Sequence, residues 1–176
     1  MAIRLNHTIV AARDKQKAAL FLTEILGLPA PLLVGPFAMV RVGDTSLDYR
    51  DAYGEIVSQH YAFLVDESEF DVIFAHIRDR HLVYWADPYR HKRGEINAWD
   101  GGRGIYFDDP NGHLLEVLTR PYGSGGTTTS LPHPLFAQTQ GPEAHERNRS
   151  DQQGKSGGGR LATAEGPGAR HATDKR

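Results

Sequence analysis

The sequence predicts an α+β domain made of two βαβββ modules whose sheets curl around a shared cleft, followed by a disordered tail. Two observations carry this. The same order of apolar patterns occurs twice, over residues 3–52 and again over 58–120. After Tyr122 large apolar residues become rare. A pattern recurring at a period of about 50–60 residues marks a duplicated supersecondary unit.

The first module opens with an apolar run, Leu5 to Ala12. Asp14 then stands at an N-cap position, Ala18, Phe21, Leu22 and Ile25 recur at helical spacing, and Gly27 with Pro29 ends the helix. Short extended segments follow at Pro31–Val34, Ala38–Val42 and Ser46–Arg50, with Gly43-Asp44 as the turn between the last two. The second module repeats the order. His60–Val65 is the first strand, Asp66 and Glu69 have capping-box spacing, and Phe70, Ile73, Phe74 and Ile77 share one helical face. Its later strands are Val83–Ala86, Gly104–Phe107 and His113–Thr119, with Asn111-Gly112 at the last turn. A helix covers one face of such a sheet, so the other face must be buried against a partner, which predicts a homodimer.

Residues 1–122 are therefore expected to form the domain and 123–176 a tail rich in Gly, Ser and Pro that lacks the apolar content for a core. The tail holds seven Lys/Arg and five Asp/Glu, mixed and unclustered, so it does not read as a nucleic-acid arm. The net charge of −2, without a dense basic stripe, argues against nucleic acid and anionic membranes as partners and favours a small-molecule substrate. No apolar run is long enough to span a bilayer, and the expected location is cytoplasmic. The chain has no cysteine, so a metal would have to be held by nitrogen and oxygen.

Side chains alternate between the faces of a strand. His60 shares a face with Ala62 and Leu64, Glu116 with Leu114 and Leu118, and His7 with Leu5, Ile9 and Ala11. Each is an ionisable group interrupting an apolar row. A carboxylate so placed must be neutralised, paired or bound to a metal. Two histidines and a glutamate at matching positions of two modules favour the metal. His113 falls on the opposite face from Glu116, and His76 and His81 lie off the apolar face of the second helix, so these read as bystanders.

With these residues in view, the chain resembles the vicinal oxygen chelate superfamily, which includes glyoxalases, extradiol dioxygenases, fosfomycin-resistance transferases and bleomycin-resistance proteins. The resemblance is strongest over Gly102–Glu116, with Asn6-His7 and Gln59-His60-Tyr61 in support. It implies a cupped mixed sheet and metal ligands at His7, His60 and Glu116. Asp48, at the position in the first module that Glu116 has in the second, is a candidate fourth ligand. Such a set suits one divalent ion, Fe(II), Mn(II), Zn(II) or Ni(II). The open positions would then chelate two neighbouring oxygens of a substrate.

Ile105, Tyr106, Asp109-Pro110-Asn111-Gly112 and Glu116 resemble the dioxygenase signature, which would make Tyr106 a substrate-binding and catalytic residue. The histidine expected upstream is replaced by Asn97-Ala98-Trp99, and the nearest, His91, lies in the basic loop Pro88–Gly94. Arg103 is the arginine expected near the mouth of the cleft. The implied function is a metal-dependent enzyme of dioxygenase or glyoxalase type. The alternatives are a metal-free binder of the bleomycin-resistance kind and, behind it, a thiol transferase acting on an epoxide.

Overall fold

In the computed structural model, residues 3–125 and 130–137 are described, and all of them belong to the unit Met1–Thr139. The first module comprises β1 (His7–Ala12), α1 (Lys15–Leu26), β2 (Leu32–Val34), β3 (Phe37–Val42) and β4 (Thr45–Asp51). The second comprises β5 (His60–Leu64), α2 (Glu67–Asp79), β6 (Tyr84–Trp85), β7 (Gly104–Asp108) and β8 (Leu114–Leu118). Both sheets have the same topology, β1-β4-β3-β2 and β5-β8-β7-β6. In each the first strand runs parallel to the last and the other pairs are antiparallel. The duplication read from the sequence is thus a duplication of topology.

Local chemistry sets the helix ends. Asp14 accepts the backbone N–H groups of Gln16 and Lys17 at the start of α1. Gly27, at φ 68, closes that helix in the left-handed region, which costs glycine nothing. At α2 the capping box is complete, with Asp66 accepting from the Glu69 N–H and Glu69 accepting from the Asp66 N–H.

The helical sides of both sheets meet in one core. Leu22 and Ile25 of α1 and Phe70, Ile73 and Ile77 of α2 are buried with Val10, Val40 and Tyr49 of the first sheet and Phe107, Leu115 and Val117 of the second. Polar contacts tie the modules at the rim. Arg80 pairs with Glu24 at 3.0 Å, and His76, half-buried rather than solvated, bonds the Ile25 carbonyl through Nδ1 at 3.0 Å. It thereby satisfies a carbonyl at the end of α1 that has no partner within its helix. His113 is also internal. Its Nδ1 accepts the Gln59 N–H at 3.1 Å and its Nε2–H donates to the Ala11 carbonyl at 2.8 Å, linking the two modules.

The faces turned away from the helices have no such cover, and on them Ile9 is 49% and Leu64 59% exposed. The chain past Tyr122, read from sequence as tail, is described over 123–125 and 130–137 and ends in one helical turn, α3 (Pro134–Ala137). The remainder of the expected disordered tail lies outside the described residues. Among the described residues no helix is long and apolar enough to cross a membrane.

Phe70 joins the core to the rim, being fully buried with the Arg103 guanidinium 4.4 Å above its ring. Phe70→Ala is expected to cost about 3–5 kcal/mol of stability through lost transfer energy and the cavity left behind. Urea unfolding should show this as a lower midpoint at unchanged slope.

Candidate metal centre

Strand register brings the site together. Glu116 of β8 lies opposite Ala62 of β5 and opposite Tyr106 of β7, and His60 lies opposite Leu114. His60, Glu116 and Tyr106 therefore project from three adjacent strands on the face of the second sheet turned away from α2.

Glu116 is 1% exposed, and its carboxylate is surrounded by donors. The Tyr106 hydroxyl donates to Oε1 at 2.7 Å and the Tyr122 hydroxyl donates to Oε2. The two hydroxyls lie 3.2 Å apart. Burial first, then hydrogen bonding within the cluster and the Glu116 charge, push the Tyr106 phenol far above its usual pKa. Tyr122 is raised too, by burial and by its bond to Glu116. Both phenols are thus donors across the physiological range and not bases.

His60 Nε2 stands 3.1 Å from Glu116 Oε2, and its side chain is 44% exposed. Nδ1 lies 3.1 Å from the Leu114 carbonyl oxygen, which can only accept, so Nδ1 carries a proton. In the neutral imidazole Nε2 is then a bare lone pair aimed at a carboxylate oxygen. That arrangement is attractive only with a cation between the two atoms, either a second proton on the ring or a metal ion. Two donors ~2.0–2.2 Å from one ion, at about a right angle, stand about 3 Å apart, so the observed spacing fits neighbouring ligands. A backbone carbonyl fixing the tautomer of a ligating histidine is the usual second-shell arrangement.

The other predicted residues are placed elsewhere. His7 is exposed on the uncovered face of the first sheet, with Nδ1 2.8 Å from Asn6 Oδ1. Asp48, buried, accepts from Ser46 Oγ at 2.8 Å. Asp48 pairs with Ile9 as Glu116 pairs with Ala62, so His7 and Asp48 are the first module's counterparts of His60 and Glu116. On the neighbouring strand Met39 faces Asp48 where Tyr106 faces Glu116, which leaves Asp48 without a tyrosine donor. Among the described residues no three His, Asp or Glu side chains are close enough to hold a metal. Within one chain, therefore, His7 does not join His60 and Glu116. Arg103 is not free at a cleft mouth, because Glu67 and Asp71 of α2 bind its guanidinium, each at 2.6 Å.

Beside His60 lies a cavity of about 420 Å³, walled by Tyr106, Tyr122, Trp99, Tyr89 and His133 among others. The basic loop contributes His91 and Lys92 to its wall. The loop is shaped by buried Asp87, which accepts the N–H groups of Tyr89, His91 and Lys92. Trp99, in the place of the missing signature histidine, packs its ring 6.3 Å from Tyr106 and 4.7 Å from His133. Tyr122 and His133 are missed by a reading of the sequence. They sit in a stretch rich in Gly, Ser and Pro, where periodicity carries no signal, and only an isolated aromatic and an isolated histidine mark them.

The His60–Glu116 contact has a measurable consequence in metal-free protein. The hydrogen bond to Glu116, opposed by desolvation, raises the His60 pKa above its usual 6.5. A raised folded-state pKa means that this stabilisation is fully present below about 6.5, the unfolded-state value, and is lost as pH rises through the folded-state value. Glu116→Gln is expected to bring His60 back toward the ordinary range and to remove that part of the pH dependence. NMR titration of His60, paired with urea unfolding across pH, checks both.

No family model matches the chain. It is 31% identical over 120 residues, 64% of this chain and 78% of that protein, to the glutathione transferase FosA of Serratia marcescens. It is also 31% identical over 127 residues, 65% of this chain and 79% of that protein, to the metallothiol transferase FosB of Shouchella clausii. Among solved structures, oxidase ChaP-H2 is 61% identical, with a TM-score of 0.70, covering 72% of this chain and 100% of that one. Shared topology, a histidine and a glutamate on matched strands, and relatives spanned over most of their length lead to one conclusion: the chain belongs to the vicinal oxygen chelate superfamily.

Proposed function

We propose that this protein is a metal-dependent oxidase of a small, oxygen-bearing substrate, with one divalent ion held by His60 and Glu116 of one chain and His7 of a second copy. The observation that carries the reading is His60 Nε2 held 3.1 Å from the buried Glu116 carboxylate, a contact that in the metal-free protein a ring proton completes and that a divalent ion can take over. The 61% identity to an oxidase spanned over its whole length supports oxidation over thiol transfer, for which the named relatives are only 31% identical. Oxidase chemistry favours Fe(II) or Mn(II) within the set that imidazole and carboxylate accept.

When bound, such an ion supplies Lewis acidity toward two neighbouring substrate oxygens and an accessible redox couple. The chain's own residues do the rest. His60 and Glu116 present ligand atoms already oriented by Leu114, Tyr106 and Tyr122. Tyr106, with its proton retained, is a hydrogen-bond donor at the edge of the cavity. The aromatic walls exclude water and suit a flat ring. Arg103 has its guanidinium paired with Glu67 and Asp71 of α2, and the reading assigns it no step.

Exposed apolar residues on the faces turned away from the helices, Ile9 and Leu64 among them, support a dimer. His7 and Asp48 occupy one such face and His60 and Glu116 the other, so pairing unlike modules of two copies buries both and brings a third ligand to each site. Asp48 is the candidate fourth ligand in that assembly.

Metal analysis of wild type, His7→Ala and Glu116→Ala, with oxygen uptake on catechols after loading with Fe(II) or Mn(II), tests the proposal. Both variants are expected to lose metal and activity. Co-refolded, they should regain about a quarter of wild-type activity, because half the dimers are mixed and each mixed dimer has one intact site. Recovery of none would place all ligands within one chain. Retention of activity by both variants would sink the enzyme.

A further inference from the structure

His133 has no part in the reading above, and its surroundings give it one. It is 4% exposed, and its ring is fixed on both sides, stacked on Tyr122 at 3.8 Å and edge-on to Trp99 at 4.7 Å. The segment carrying it is clamped by Asp100. That carboxylate accepts the N–H groups of His133 and Gly123, at 3.2 and 2.8 Å, and the Asp100 N–H donates to the Leu131 carbonyl at 2.8 Å. Asp100 holds φ at 56, a region that side chains other than glycine seldom occupy, so the clamp is maintained against a backbone preference.

The chemistry of the ring follows from its bonds. His133 Nδ1 accepts the Leu135 N–H at 3.3 Å, so in the neutral imidazole the proton sits on Nε2. Burial lowers the His133 pKa and favours that neutral form. Nε2 is buried and meets no hydrogen-bonding partner among the described residues. A buried donor without an acceptor is costly and rarely retained without a use. The same ring lines the cavity shared with His60, Tyr106 and Tyr122, and also a second one of about 10 Å³, the size of a single water, beside Glu116 and Tyr122.

We propose that His133 is a substrate-binding residue, whose Nε2–H donates a hydrogen bond to an oxygen of the molecule held in the cavity beside His60 and Glu116. This rests on that cavity being the substrate site. The substrate is then held from two sides, its oxygens toward the ligand pair and a further oxygen toward His133. The segment that carries His133 becomes part of the binding site.

The test uses the full-length protein with 4-nitrocatechol as probe. His133→Phe keeps an aromatic ring for the stack on Tyr122 and lacks the donor, whereas His133→Gln restores an N–H. The first is expected to weaken probe binding about tenfold, the loss of one hydrogen bond, and the second to recover most of it. In wild type, where no variant has to fold, the His133 Nε2–H proton should move downfield on addition of the probe. Unchanged affinity in His133→Phe, a proton that does not move, or failure of metal-loaded wild type to bind the probe would overturn the assignment. Metal content of the same samples separates this from the oxidase reading. Loss of probe affinity in a protein that takes up no divalent ion keeps His133 and discards the oxidase, and metal uptake with unchanged affinity does the reverse.

Discussion

A carboxylate buried in the middle of a strand is the constraint around which the second module is arranged. Glu116 cannot stay charged there without donors. Tyr106 reaches it from the adjacent strand, Tyr122 from the chain just past β8, and His60 from the parallel strand on the other side. Two of these contacts are set by sheet register alone. The third depends on where the chain turns after β8, and it draws the following segment, with His133, over the cavity.

Comparison of the two modules separates fold from site. Both have the same strand order, the same parallel first-to-last pairing and a capped helix on one face. Only the second surrounds its strand carboxylate with tyrosines. In the first, Met39 stands where Tyr106 would be, and Asp48 accepts from a serine two residues away. Duplication thus supplied two equivalent frames, and substitutions on single strands made one of them a cavity lined by aromatic rings. The first module retains an exposed histidine on an uncovered face, a surface suited to meeting the complementary face of another copy.

Arg103 and His113 show how polar residues near a site are absorbed by structure. Arg103 bridges Glu67 and Asp71 while covering Phe70, and His113 joins the modules through Nε2 to the Ala11 carbonyl while its Nδ1 accepts the Gln59 N–H within the second. Arg103 directs three donors to α2, and both His113 nitrogens are bonded within the fold. His133 instead holds a buried N–H with no acceptor among the described residues, and His60 sets Nε2 against a carboxylate where a proton or a metal ion can stand.

Periodicity and capping chemistry are local, so the two modules, their helices and the strand positions of His7, His60, Tyr106 and Glu116 were legible in the sequence. The alternation of side chains along a strand even placed His60 and Glu116 each on a defined face before their strands were known to be neighbours. What only the tertiary structure decided involves residues far apart in the chain. It decided that His60 and Glu116 come within hydrogen-bonding distance and His7 does not, that Arg103 turns to α2, and that Tyr122 and His133 close over the cavity. The reason is physical. A residue's spacing within its own element follows from backbone geometry. Its partner across the fold depends on which strands pair, in what register, and where an irregular segment without periodicity finds its hydrogen bonds.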